Sequence, residues 1–394
     1  MSLNSTVSAE RIHIGFFGMC NAGKSSLVNA LTGQALSIVS DRKGTTTDPV
    51  KKAMELLPLG PVVILDTPGL DDEGELGSLR IEKAKQMLVQ TNIAVVVVDA
   101  QTGLQEMDKW LISKLKERKI PYIVALNKAD LLSARPAPDG DAVYVSAETG
   151  EGISILKERF GQFAQQTKNP NDLVRDLLSP GDLVLLVTPI DEAAPKGRLI
   201  LPQQMVLRDV LDAHAIAVVC QTIELEKTLS ALGRKPRMVI TDSQAFGEVS
   251  RITPADIPLT SFSILMARYK GELKRLMAGY SALETLQDGD HVLISEGCTH
   301  HRQCNDIGTV KMPGWIEKIS QAKPVYHFTS GNDFPQDLTP YRVIVHCGGC
   351  MLNQVEMQQR VKQAADAGVP IVNYGIAIAG MHGILKRSLA VFSD

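Results

Sequence analysis

Two groups of residues in this sequence have the types and spacing to do chemistry. One is Gly18-Met-Cys-Asn-Ala-Gly-Lys-Ser25, a match to the phosphate-binding pattern G-x-x-x-x-G-K-[ST]. Its glycines let backbone N–H groups converge on phosphate oxygens, so the stretch through Asn21, Ala22, Gly23 and Ser26 is expected to line the phosphates. Lys24 is placed to reach the β- and γ-phosphates, and the Ser25 hydroxyl to ligate Mg²⁺. The other group is Cys298-Thr-His300 with His346-Cys-Gly-Gly-Cys350. Thiols and imidazoles at such spacings bind metals.

Further segments complete a nucleotide site. Asp66-Thr-Pro-Gly69 ends an apolar strand candidate, where Asp66 can hold Mg²⁺ through water and the Gly69 backbone can sense the γ-phosphate. Asn127-Lys-Ala-Asp130 ends another, and the Asp130 carboxylate there can accept both N1–H and N2–H of guanine, which adenine cannot offer. Asn127 and Lys128 belong to the same base-reading segment. Ser146-Ala147-Glu148 ends a further strand and can present a backbone N–H to guanine O6. Between the first two, Gly44-Thr-Thr-Thr-Asp48 reads as a switch-like loop whose threonine, Thr46, completes the Mg²⁺ shell. Five such elements in this order resemble the G1–G5 set of Ras-like GTPases over residues 11–165. Lys24, Asn21, Thr46, Asp66 and Gly69 are then the residues expected to act on GTP.

Two positions narrow the subclass. Residue 70 is Leu, where Ras-type enzymes place a water-orienting Gln. Asn21 within the loop resembles the TrmE and Era branch, whose potassium-stimulated members use this Asn to bind K⁺ beside the phosphates. A cation there does the electrostatic work of an arginine finger. The competing reading is that Asn21 simply suits a turn. Cys20, in the same loop, reads as a small packed residue.

The cysteine segments each follow an apolar strand candidate, His291–Ile294 and Tyr341–Val345. In a parallel sheet both loops emerge at the same carboxyl edge, so Cys298, Cys347 and Cys350 can converge. The intervening glycines can wrap backbone N–H groups around sulfur, and a helix starting near Asn353 would present its N-terminus to an anionic group. The spacing suits zinc and an iron–sulfur cluster equally. Cys304 and Cys220 lack partners at metal spacing.

The elements that must position these groups alternate strand with helix, the pattern of α/β domains with largely parallel sheets. Strands are predicted at 12–17, 62–65, 94–98, 122–126 and 143–145, then 183–187, 216–219 and 238–241, then 291–294, 324–328, 341–345 and 370–373. Helices are predicted at 26–31, 223–232 and 354–367. Asn169-Pro170-Asn171 reads as a linker. The expected division is a GTP-binding domain at 1–168 followed by two further blocks at 169–262 and 263–394. The fold class is thus a Ras-like P-loop domain followed by two smaller α/β domains.

Composition agrees with a globular chain: 394 residues, 44% hydrophobic and 22% charged, with a formal net charge of −3. That balance asks for neither nucleic acid nor an acidic membrane surface. No apolar run is long enough to span a bilayer, and residues 1–10 lack a signal-peptide core, so a cytoplasmic location is expected. In that compartment six cysteines suggest metal or redox ligands rather than disulfides.

Taken together, the chain resembles the HydF family of FeFe-hydrogenase maturation GTPases. The resemblance rests on the GTPase block with Gly44-Thr-Thr-Thr-Asp-Pro49, on Ala194-Pro-Lys-Gly-Arg-Leu-Ile-Leu-Pro202, and on Cys298-x-His300 with His346-Cys-x-x-Cys350. It implies a dimerisation domain at 169–262 and a cluster-binding domain at 263–394, with a 4Fe–4S cluster on Cys298, Cys347 and Cys350 and His300, His346 or Asp191 as a possible fourth ligand. It implies a homodimer and a scaffold that passes a di-iron precursor to apo FeFe-hydrogenase, with two radical-SAM maturases as further partners. The runner-up reading is a ribosome- or tRNA-associated GTPase with a C-terminal zinc module. A stand-alone redox enzyme gated by GTP lacks a second cofactor signature.

Overall fold

The computed structural model describes residues 8–33, 50–70, 74–137, 140, 142–166, 171–189, 199–298 and 306–392. They belong to two compact units, Met1–Lys168 and Asn169–Asp394.

The first unit runs β1 (Ile12–Phe17), α1 (Lys24–Thr32), β2 (Val50–Leu56), β3 (Gly60–Asp66), α2 (Gly74–Gln90), β4 (Ile93–Asp99), α3 (Glu106–Glu117), β5 (Tyr122–Asn127), β6 (Ala142–Tyr144) and α4 (Ile153–Gln166). Its sheet has the order β2-β3-β1-β4-β5-β6. All pairs are parallel except β2 with β3. The apolar strand runs bury both faces, as a parallel sheet covered by helices requires. Ile14, Phe16, Val95 and Val97 point into one core and Phe17, Ala94, Val96 and Val98 into the other. The predicted strands are all present. β2 escaped the sequence reading because Lys51, Lys52 and Glu55 interrupt its apolar pattern; an edge strand tolerates such residues.

The second unit continues with β7 (Leu183–Val187), α5 (Leu201–Asp212), β8 (Ile216–Cys220), α6 (Leu225–Ala231), β9 (Met238–Thr241), α7 (Phe246–Ile252), β10 (Leu259–Ser261) and α8 (Phe262–Tyr269). Then come α9 (Leu273–Ala278), α10 (Tyr280–Glu284), β11 (His291–Glu296), α11 (Met312–Ser320), β12 (Val325–Ser330), β13 (Val343–His346), α12 (Gln354–Asp366), β14 (Ile371–Asn373), α13 (Tyr374–Met381) and α14 (Leu385–Leu389). Two all-parallel sheets result, β10-β9-β7-β8 and β12-β11-β13-β14. They share one apolar core, which takes Leu185, Val187 and Val239 from the first sheet and Leu293, Val343 and Val345 from the second. The three-residue strand β10 is too short to announce itself in a sequence. The architecture is α/β throughout, with the Ras-like unit first.

Both later sheets leave an apolar edge strand open. On β8, Ile216 and Val219 are exposed, and on β12 so are Val325 and Phe328. Among the described residues no helix is long and apolar enough to cross a membrane.

Candidate functional site

The phosphate-binding loop sits between β1 and α1, at the carboxyl edge of the first sheet. Close approach dictates its glycines. A Cβ on Gly18 would lie 2.1 Å from the Val97 carbonyl oxygen, and one on Gly23 2.2 Å from Asn127 Nδ2. Both also have positive φ, +145° and +87°, which L side chains rarely adopt. Lys24 is buried and donates to the carbonyls of Gly18 (3.0 Å) and Met19 (2.9 Å), so its ammonium lies over the loop. The Ser25 hydroxyl donates to Asp66 Oδ2 at 2.9 Å, which brings the two expected Mg²⁺ contacts together. Ser26 follows in the first turn of α1. Asn21 is exposed with φ +62°, a left-handed conformation that Asn tolerates better than most residues.

The segment after β3 packs directly on this loop. Leu70 N–H donates to Gly18 O at 3.1 Å, and a Cβ on Gly69 would lie 2.3 Å from Cys20 Sγ. Cys20 is therefore a packing partner of Gly69. Leu70 is fully buried in the α2-side core, so position 70 sends its side chain away from the phosphates. Thr67 Oγ1 donates to Phe16 O at 2.6 Å and fixes the strand end.

At the base-reading side, buried Asn127 donates from Nδ2 to Ala22 O (2.9 Å) and accepts at Oδ1 from Ala147 N–H (3.1 Å). One side chain thus joins three of the expected segments. Lys128, with φ +61°, pairs with Asp99 Oδ2 at 2.6 Å, a partner the motifs did not indicate. Asp130 is exposed beyond β5, and Ser146 is buried with its hydroxyl accepting from Thr149 N–H at 3.1 Å. Thr46, His300 and Asp191 lie outside the described residues, as do Cys304 and the 194–198 part of the central motif.

The second group assembles at the carboxyl edge of the third sheet. Cys298 follows β11 and Cys347 follows β13, and these strands are parallel neighbours. Cys347 N–H donates to Ser295 O at 3.0 Å, which fixes the start of its loop. Cys347 Sγ accepts from Gly297 N–H (3.1 Å) and Gly349 N–H (3.3 Å). Cys298 hydrogen bonds to Cys347, which holds the Cys347 thiol well below the usual range against the cost of burial; His346 and the Gly297 N–H add to the effect. The same bond, then burial, pushes Cys298 up. Burial first, then the charge of Cys347, pushes Cys350 up to about 11. Ligation of a metal would require the raised Cys298 and Cys350 thiols to lose their protons. Among the described residues no three His, Cys, Asp or Glu side chains are arranged around a single metal ion. Cysteines that bind a polynuclear cluster grip separate irons and need no such common centre.

Around the thiols lie His346, which the motif marked, and Arg360 and Lys270, which no motif marked. His346 is fully buried; its Nδ1 lies 2.8 Å from Cys347 O and its Nε2 3.2 Å from Arg360 Nη1. A guanidinium only donates, so Nε2 accepts and the ring proton sits on Nδ1. His346 would have to surrender one of these bonds to ligate a metal. Arg360 also donates to Glu356 Oε1 (2.8 Å) and Gly331 O (2.6 Å), all buried. Lys270, buried at the end of α8, donates to Leu352 O at 2.8 Å and so clamps the loop after Cys350. Apart from Glu356, one turn from Arg360, the side-chain partners of Arg360 and Lys270 lie 14 to 82 residues away, so their sequence neighbourhoods carry little signal. The N-cap of α12 is Asn353, whose side chain accepts from Glu356 N–H at 2.8 Å.

Comparison with known proteins sorts the chain into three segments. Residues 13–128 match a family model described as a 50S ribosome-binding GTPase. Residues 173–271 match the hydrogen maturase F dimerization domain, and residues 275–391 its tetramerization domain. Those two models together take in more than half of the chain.

The chain belongs to the hydrogen maturase F family.

The family's two oligomerisation domains meet between residues 271 and 275, inside the second compact unit. Curated relatives match well under half of the chain. The tRNA modification GTPase MnmE of Nitrosomonas europaea is 33% identical over 153 residues, 38% of this chain and 34% of that protein. GTPase Der of Nitratidesulfovibrio vulgaris is 35% identical over 157 residues, 35% of this chain and 32% of that protein. The chain spans about a third of the length of these relatives. Among solved structures, Era of Aquifex aeolicus bound to GDP and AlF4⁻ is 20% identical, with a TM-score of 0.35, over 61% of this chain and 97% of that one.

Proposed function

We propose that this chain is a GTP-hydrolysing scaffold that assembles or delivers the di-iron precursor of an FeFe-hydrogenase active site, and that it carries a 4Fe–4S cluster on Cys298, Cys347 and Cys350. The observation that carries this reading is the meeting of those cysteines at one sheet edge, two of them in direct hydrogen-bond contact, in a chain of the maturase family. The donor set fits the cluster: three thiols, N–H groups of Gly297 and Gly349 on sulfur, and a capped helix N-terminus behind them. A bound cluster would supply a redox-active iron site with one iron not held by cysteine. The chain's own part is to hold thiolate charge: Lys270 and Arg360 bring buried positive charge beside the cysteine loop.

In the first unit, Lys24 would exchange its loop carbonyls for phosphate oxygens, and Ser25 with Asp66 would hold Mg²⁺. Asp130 would read guanine through two accepted hydrogen bonds. With Leu70 buried, no side chain at that position orients water, so hydrolysis is slow unless a cation or partner supplies the missing charge. K⁺ beside Asn21 is our reading of that cation.

The division of labour is GTP binding in 1–168, dimerisation in 169–262 and cluster binding in 263–394. Apo-hydrogenase and the radical-SAM maturases are the proposed partners, in the cytoplasm. A ribosome- or tRNA-associated GTPase with a zinc module is not favoured, because the maturase models account for the C-terminal half. Anaerobic purification with iron, sulfide and zinc counts decides the cluster. About four irons and four sulfides per chain are expected; stoichiometric zinc without sulfide would sink the reading.

A further inference from the structure

At the opposite, amino edge of the third sheet, two histidines face each other. His291 opens β11 and His327 lies on β12, its parallel neighbour. The register sets His291 against Val325 and Leu293 against His327, so the two rings are diagonal neighbours on one face of the sheet. His291 Nδ1 and His327 Nε2 are 2.8 Å apart. The rings are stacked, with centroids 5.1 Å apart and planes 29° apart. Tyr341 packs edge-on against His327 at 5.4 Å and holds that ring in place.

We propose that His291 and His327 form a binding site for a nitrogen-preferring divalent transition-metal ion. In the metal-free chain one nitrogen donates its proton and the other accepts it. An ion replacing that shared proton would be gripped by both lone pairs. Metal–imidazole bonds of about 2.0–2.1 Å in tetrahedral array set two ligand nitrogens about 3.3 Å apart. The present gap is shorter by roughly half an ångström, a difference that a small rotation of the exposed His291 ring provides. Late first-row ions such as Zn²⁺, Ni²⁺ and Cu²⁺ favour imidazole, whereas Mg²⁺ demands oxygen and would not compete. Two protein ligands leave the other positions to water, and the exposure of His291 gives the ion a route in.

Local charge suits a cation without crowding it. Asp288 and Asp290 precede β11 at this edge, their carboxylates accepting from Lys323 N–H (2.7 Å) and Gln287 N–H (2.9 Å). The site is separate from the cysteines: in parallel strands His291 lies at the amino edge and Cys298 beyond the carboxyl edge. Six residues of strand alone span about 20 Å. An ion at the pair would tie the exposed edge strand β12 to β11 within the segment matched by the tetramerization model.

The test is a calorimetric Ni²⁺ titration of the full chain in excess Mg²⁺, with Cys298→Ser, Cys347→Ser and Cys350→Ser combined to remove competing thiols. One Ni²⁺ should bind, and His291→Gln and His327→Gln should each weaken it at least about tenfold, or about 1.4 kcal/mol. A second readout needs no histidine variant: paramagnetic Ni²⁺ should broaden the imidazole C–H signals of both rings together at low occupancy. Undiminished affinity in both variants, or broadening that spares either ring, overturns the proposal and leaves a hydrogen-bonded ring pair only.

Discussion

Asn127 donates from Nδ2 to the Ala22 carbonyl at 2.9 Å, across 105 residues of chain, while its Oδ1 accepts from Ala147 N–H. One buried amide therefore locks the phosphate loop to both base-reading segments. Asn127→Ala leaves a buried carbonyl and a partly buried N–H without their Asn127 partners, a cost of about 1–3 kcal/mol. We expect a lowered thermal midpoint and weaker binding of every nucleotide tested. A midpoint equal to wild type would show that Asn127 is no structural lock.

Asp130 is different because it is exposed and holds no loop. Asp130→Asn should leave stability unchanged and alter base choice. Its amide would donate where guanine also donates, while xanthine offers a carbonyl there. GTP affinity should fall and XTP affinity rise, as read by competition for a fluorescent nucleotide. Unchanged discrimination would remove Asp130 from the base site.

Slow hydrolysis is expected from the buried Leu70, and K⁺ should accelerate it over Na⁺. Asn21→Ala should abolish the difference between the two salts, measured as phosphate release. Leu70→Gln should not restore a water-orienting group, because residue 70 faces the core. It should instead destabilise the chain by about 1–3 kcal/mol through amide burial. A faster Leu70→Gln enzyme would contradict the assigned direction of that side chain.

Cys298→Ser, Cys347→Ser and Cys350→Ser should each remove the visible charge-transfer absorption of reconstituted protein while GTP turnover survives in the separate first unit. His346→Ala should behave otherwise. It frees the buried Arg360 Nη1 and the Cys347 carbonyl, so unfolding should be easier while iron content is retained. Iron loss without a change in stability would make His346 a ligand instead.

The open edge of β8 predicts the site of self-association. Val219→Lys places a charge on an exposed apolar edge and should shift the assembly to smaller species in light scattering. Residues 1–168 alone should be monomeric. A Val219→Lys chain of unchanged mass would move the interface away from β8.

The sequence by itself determined which residues are proposed to carry the chemistry and which strands lead to them. Glycines at fixed spacing, Lys24, Asp66, Asp130 and the three cysteines were legible because each lies in a short motif at the end of an apolar run. Parallel β/α alternation then forces such ends to one sheet edge. Residues with distant partners were not legible. Lys270 on Leu352 O, Arg360 on His346 and Lys128 on Asp99 are pairings that no local pattern encodes. Position 70 shows the same divide. Its identity as Leu was readable, but its burial beneath the phosphate loop depends on the packing of α2 against the sheet. The edge strand β2 and the three-residue β10 also came only from tertiary pairing, since backbone hydrogen bonds to a neighbour can make a strand of a segment whose own pattern is too polar or too short. The facing of His291 and His327 depends likewise on the register of β11 against β12, which a one-residue slip would have destroyed.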